Sequence, residues 1–190
     1  MVAGTAVDEA PRVAPLNPPY DAGTADLLRQ MMGGDREPLK LFRTVARNPE
    51  LLRTLAGNGA LIYGSKRIAP LHRELIIQRA CARCGAEYEW GVHATLFGKR
   101  VGLTDERLRA TVHGDHRSEC WSPVEALLIE FVDELHERAA ISDDLWQRMS
   151  RHWDDAQMLE LAMLAGLYHA ISFVISVARV EREPYGARFT

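Results

Sequence analysis

Apolar residues along this chain recur at helical intervals, broken by proline, glycine and capping residues, and that spacing predicts helices throughout. Thr24 caps a short helix over residues 24–32, which Gly33-Gly34 stops. Pro38 opens a helix through about Ala46. Asn48-Pro49 interrupts it, and Pro49 starts another with Leu51, Leu52 and Leu55 inward. The Gly57-Asn58-Gly59 cluster loosens that element ahead of Ile62 and Tyr63. Pro70 begins a helix whose Leu75, Ile76, Ile77, Ala80 and Ala82 form an apolar run. That run stops at Gly85, and a second helix follows from about Glu87 to Arg100. Thr104 with Asp105 and Glu106 marks a further start, and residues 113–120 form a polar loop. Ser122-Pro123-Val124-Glu125 reads as a capping box, heading a helix with Ala126, Ile129, Phe131, Val132 and Leu135. Ser142-Asp143-Asp144 caps a short helix holding Trp146 and Met149, and Asp154-Asp155 opens the longest one, to about Val180. No segment alternates with the period of a strand. The pattern predicts an all-α fold with one domain over residues 24–182. A Pro- and Ala-rich arm over 1–23, disordered or draped over a neighbour, precedes it, and an irregular tail over 183–190 follows.

Composition narrows the class. Hydrophobic residues are 47% and charged ones 26% of 190 residues, as in an ordinary soluble domain large enough for a substantial core. Lys plus Arg is 23 against 26 for Asp plus Glu, so no basic excess points to nucleic acid or an anionic membrane. Three cysteines, an odd count, and no basic-then-apolar leader fit a reducing, cytoplasmic setting. Residues 161–178 carry only His169, Ser172 and Ser176 as distinctly polar members. Glu160 and Arg179 bracket them closely, which reads as a helix buried in a core or subunit interface rather than in a membrane.

The candidate chemistry concentrates between Arg73 and His93. Glu89 and His93, four apart, share a helix face with Cβ atoms roughly 5–6 Å apart, and Glu74 meets them if the two helices fold back on each other. A carboxylate beside an imidazole with a second acid nearby suits proton transfer. The plainer reading of an i,i+4 Glu–His pair is an exposed ion pair. Trp90, Val92, Leu96 and Phe97 around His93 favour burial instead, where pKa values shift. Tyr88 and Trp90 flank Glu89 as pocket or packing aromatics, and His169 with Tyr168 offers further pocket groups from the last helix. Arg73, Arg79 and Arg83 form either an anion anchor or a solvated face. Cys81-x-x-Cys84 invites a redox reading, but the pair lies toward a helix C-terminus, whose dipole disfavours a thiolate, so buried structural thiols are the expectation. On paper, His113 and His116 complete a Cys₂His₂ zinc set with those thiols across a long separation. Glu74, Glu89 and His93 also offer donors that suit a mononuclear ion. We expect neither a metal nor a cofactor.

The segment RELIIQRACARCGAEYEWGVHATLFGKRVGLTDERL resembles the signature of the carboxymuconolactone decarboxylase family, which includes the alkylhydroperoxidase D-like proteins. The likeness extends over roughly residues 35–182, taking in PLKLFRTVARNPELLRTLAGNGALIYG and WSPVEALLIEFVDELHERAAISDDLW. In the peroxidase branch, a Glu precedes a Cys-x-x-Cys pair by twelve residues and the functional His by nineteen. Glu74 and His93 keep the longer spacing, while the cysteine positions fall on Ala86 and Glu89. The resemblance therefore implies an oligomeric alkylhydroperoxidase D-like helical bundle, a trimer or multiple of one, without that thiol chemistry. It also implies no obligatory metal, with the Glu-x-x-x-His pair in the site as in the decarboxylase branch. Three functions follow as expectations. The first is a cofactor-independent decarboxylase-like enzyme on a small carboxylated or lactone-like substrate. In it His93 is the general acid/base, Glu89 orients it, and Glu74 handles a second proton. The others are a thiol-dependent antioxidant protein using Cys81 and Cys84, and a non-catalytic oligomeric binding protein.

Overall fold

A computed structural model describes residues 10–189, and its described residues contain nine α-helices and no strand. In chain order these are α1 (Ala22–Met32), α2 (Lys40–Val45), α3 (Pro49–Gly64), α4 (Pro70–Arg83) and α5 (Glu87–Leu96). They continue with α6 (Asp105–His113), α7 (Pro123–Arg138), α8 (Asp143–Met149) and α9 (Asp155–Ala178). A tighter turn over Gly98–Val101 completes the stretch that the periodicity assigns to one helix.

α4 is the central rod. It packs against α5, α6, α7 and α9, and its Leu75, Ile76, Ile77, Ala80 and Cys81 are wholly buried. A helix enclosed on all sides must find partners for its polar groups as well. Arg79 does so by forking onto Asp133 of α7, Nε to Oδ1 at 2.7 Å and Nη2 to Oδ2 at 2.8 Å, while Nη1 donates to the Thr111 and Gly114 carbonyls. Arg83 pairs with Asp133 and Glu137. Neither arginine is an anion anchor: both clamp α4 to α7.

Local chemistry ends the helices where the sequence marks them. Thr104, Ser122, Ser142 and Asp154 each accept a backbone N–H, with full capping boxes at Ser122–Glu125 and Asp154–Gln157. Four details differ. α2 starts at Lys40 behind Leu39 rather than at Pro38. Asp21, not Thr24, caps α1, because its carboxylate accepts the Thr24 N–H and Thr24 lies inside the first turn. α3 runs unbroken through Gly57-Asn58-Gly59 to Gly64. Leu51 lies on the outer side of α3 at 44% exposure, whereas Leu52 is enclosed.

The arm is draped rather than loose over its described part. Arg12 and Val13 donate to the Ala178 carbonyl, and Leu16 donates to that of Arg43. Residues 1–9 of the expected arm lie outside the described residues. The irregular tail also packs, crossing α5 at Gly91. A Cβ there would stand 2.1 Å from the Ala187 carbonyl oxygen, so only glycine admits the crossing. α9 is long and apolar enough to span a bilayer by composition, yet Leu161, Leu164, Ala165, Tyr168 and Ile171 bury one face in the bundle. Its other face presents Leu159, Met163, Phe173 and Val177, each more than 60% exposed.

Candidate active site

α4 carries Glu74 one turn in from its N-terminus. Gly85, with φ of +67°, then takes the left-handed conformation that lets the chain turn back as α5. This reversal lays Glu89 and His93 of α5 against α4, and α9 supplies Tyr168 from a third side. The three predicted groups meet: His93 is 4% exposed, Glu89 6% and Glu74 0%.

Their roles differ from the expected ones. His93 Nδ1 lies 2.8 Å from Glu74 Oε2, while Glu89 Oε1 is 3.5 Å from Nε2. Glu74, from the preceding helix, is the carboxylate that orients the ring. Glu89 stands instead with Tyr168, whose hydroxyl is 3.2 Å from Nε2. The i,i+4 spacing places Glu89 beside His93 but leaves it short of a good hydrogen bond, whereas the α4–α5 crossing aims Glu74 at the ring nitrogen. Tyr168 in turn contacts the Tyr63 hydroxyl at 2.9 Å. Arg73 covers the Tyr63 ring, its guanidinium carbon 4.7 Å from the centroid, and faces Glu74 Oε1 at 3.8 Å. Phe97 and Tyr168 pack on the imidazole at centroid distances of 5.0 and 5.2 Å and hold its plane.

Burial by itself would push the imidazole pKa down. The Glu74 charge and the contacts with Glu74 and Glu89 oppose this, joined by Tyr63 only where that phenol ionises, and the net shift is well above the ordinary 6.5. Burial raises the pKa of both Tyr63 and Tyr168, so near neutral pH they are phenols and the carboxylates hold the imidazolium. A charged ring donates twice: Nδ1–H to Glu74 and Nε2–H to Tyr168. The Tyr168 proton then goes to Tyr63, whose own hydroxyl proton is left for the cavity it lines. Glu74 Oε1 and Glu89 Oε2 are buried with no hydrogen-bond donor among the described residues.

His93, Glu89, Tyr168 and Tyr63 form the polar end of a cavity of about 420 Å³. Met31, Leu39, Phe42, Leu55, Ile62, Leu96 and Leu167 are among its apolar walls, and Arg36 and Arg100 also line it. Glu74 is not among the lining residues. Of the other predicted pocket residues only Tyr168 belongs here. The Tyr88 hydroxyl instead donates to Glu183 and accepts the Leu41 N–H, and Trp90 donates to Thr111 and meets Phe189 edge-on. Both pin α5 to its surroundings. His169 faces His136, away from the cavity. Phe97 stands beside His93 as its place in the chain suggests, whereas Tyr63, Arg36 and Arg100 join the site without a motif to announce them; Tyr63 and Arg36 do so because α3 and the end of α1 close over α5.

The thiols do not join it. Cys81 is fully buried with its pKa pushed well up by that burial, Cys84 is raised for the same reason, and no disulfide links them. His113 and His116 line a separate polar depression beside Arg79 and Asp133.

This bundle with a helix reversal at its polar core is the all-helical alkylhydroperoxidase D-like fold. By sequence the chain matches no protein-family profile and no curated protein. Among solved structures it is similar to a cysteine-to-alanine variant of the debrominase Bmp8 in complex with 2,3,4-tribromopyrrole. There the TM-score is 0.77 at 16% identity, over 91% of this chain and 92% of that one. It is also similar to an uncharacterized peroxidase-related protein from Silicibacter sp. TM1040, with TM-score 0.78 at 16% identity over 96% and 97% of the two chains. At such identity the likeness is one of fold.

Proposed function

We propose that this protein is a cofactor-independent acid–base enzyme that delivers a proton to carbon on a small, largely apolar, carboxylated or lactone-like substrate. Decarboxylation is the reaction that suits the site best. The observation that carries this reading is His93, held between Glu74 at 2.8 Å and Tyr168 at 3.2 Å at the end of an apolar cavity. A substrate carboxylate is attracted by Arg36 and Arg100. When the bond to the departing carboxylate breaks, CO₂ leaves and the electron pair passes into the substrate's conjugated system. The His93 Nε2 proton then goes to the carbanionic carbon, and the negative charge is met by the imidazolium until that transfer. The neutral ring is recharged from solvent through Tyr63 and Tyr168. That one neighbour of this fold holds a small halogenated ring supports a compact cyclic ligand. The buried Cys81 and the raised thiol pKa values count against a thiol peroxidase, which needs an accessible thiolate.

The same reading makes the protein a cytoplasmic homo-oligomer, a trimer or a multiple of one. Three free cysteines are at home in a reducing compartment, and the outer face of α9 supplies apolar surface for self-association.

The test is turnover of small unsaturated carboxylic acids and carboxylated lactones in D₂O. The expected product carries one non-exchanging deuterium, on the carbon that takes the proton in place of the lost CO₂. His93→Gln should lower kcat by about 10²–10⁴-fold with helicity intact. Full activity in that variant, or peroxide consumption abolished by Cys84→Ser, sinks the proposal.

A further inference from the structure

The fold does not bring Cys84 to His113 and His116, as the paper zinc set required. It brings Cys84, at the end of α4, to His136 of α7 and His169 of α9, with the three ligand atoms within 4.8 Å of one another. We infer that these three side chains form a divalent metal site, with Zn²⁺ the ion that best fits two imidazoles and a thiolate.

The tautomers are already arranged for it. His169 Nδ1 lies 2.9 Å from the Ala165 carbonyl, which can only accept, so Nδ1 carries the proton and Nε2 bears a lone pair. That lone pair faces His136 Nδ1 at 2.9 Å. A ring N–H fixed on a backbone carbonyl, with the other nitrogen turned toward a second ligand, is the usual outer-shell support of a metal-bound histidine. Phe173 stands edge-on to His169, its centroid at 6.3 Å, and restrains the ring from its other side. All three ligands are half-buried, so an ion can enter without unfolding the bundle. Arg83 is the cation nearby, and Asp133 and Glu137 already match its charge.

A tetrahedral ion with Zn–N near 2.0–2.1 Å and Zn–S near 2.3 Å needs ligand atoms roughly 3.3–3.6 Å apart. The imidazoles therefore part by about half an ångström, and the thiol moves in by a rotamer change. Entry is balanced in protons. The proton on His136 Nδ1 transfers through solvent to Nε2, and the Cys84 thiol releases one proton to bulk, so one proton leaves per ion bound. The fourth position is open to water. An ion here ties α4, α7 and α9 together, on the side of α9 away from His93.

The experiment is titration of the metal-stripped full-length protein with Zn²⁺, and with Co²⁺ as a spectroscopic stand-in. We expect one ion per chain at micromolar affinity or tighter, with about one proton released. Co²⁺ should show a thiolate-to-metal charge-transfer band together with the intense visible bands of a four-coordinate ion. Bound Zn²⁺ should slow alkylation of Cys84 by at least tenfold, an arm that needs no variant. Cys84→Ser should remove the charge-transfer band and His169→Gln should weaken binding at least tenfold, while Cys81→Ala changes neither. Stoichiometry below one-tenth, six-coordinate Co²⁺ spectra, unprotected Cys84, or undiminished binding in both ligand variants overturns the assignment. None of these readouts depends on the acid–base reaction, so the two proposals fail separately.

Discussion

His93 owes its chemistry to neighbours that disagree with its burial. Enclosure drives an imidazole neutral, while Glu74 at hydrogen-bond distance and Glu89 just beyond it drive it charged; here the charges win. The folded protein therefore binds this proton more tightly than the unfolded chain, whose ordinary value is 6.5. The stabilisation is fully present below about pH 6.5 and is lost as pH rises through the raised folded pKa. The urea midpoint should fall from neutral into alkaline pH, and His93→Gln should flatten that fall. Glu74→Gln should bring the His93 pKa back toward its ordinary value, as read by NMR titration of the ring protons. It should also cost about 3–5 kcal/mol, the usual penalty for leaving one member of a buried pair uncompensated. An unchanged titration would return orientation of the ring to Glu89. Had the residues been read for chemistry alone, Glu89 would have kept that role, because spacing along one helix is visible and a crossing between two is not.

At the scale of elements, two glycines hold α5 in place for different reasons. Gly85 has open space where a Cβ would go, but its φ of +67° is costly for any other residue. Gly85→Ala should lose about 1–2 kcal/mol, measured by denaturant unfolding, with the site geometry kept. Gly91 has ordinary backbone but meets the Ala187 carbonyl. Gly91→Ala should detach the tail, break the Trp90–Phe189 contact and speed tryptic cleavage after Arg188, while α5 stays helical. Equal effects of the two substitutions on tail cleavage would refute this division. The first of these glycines is legible as a helix stop; the second is not, because the segment that crowds it lies about a hundred residues further along the chain.

For the whole molecule, the decisive feature is the outer face of α9. Met163, Phe173 and Val177 sit on a helix whose opposite face is core, so the residue pattern marks the helix as apolar all round but cannot divide it. Phe173→Glu with Val177→Glu should convert the proposed oligomer to a monomer by size-exclusion light scattering, with secondary structure retained. A wild-type monomer at micromolar concentration would remove self-association from the account.

Local chemistry determined a large share of this protein. Caps at Thr104, Ser122, Ser142 and Asp154 act on donors within three residues, and apolar spacing selects the buried face of each helix. Both are written in consecutive residues, so the all-α class and the placing of Glu89 beside His93 on one helix could be read from them. Tertiary structure alone decided which carboxylate grips the ring, that Tyr63 and Arg36 face the cavity, and that Cys84 meets His136 and His169. Those outcomes depend on the angles at which separate helices cross, and a crossing is set by the packing of the whole core, not by the order of residues within any one rod.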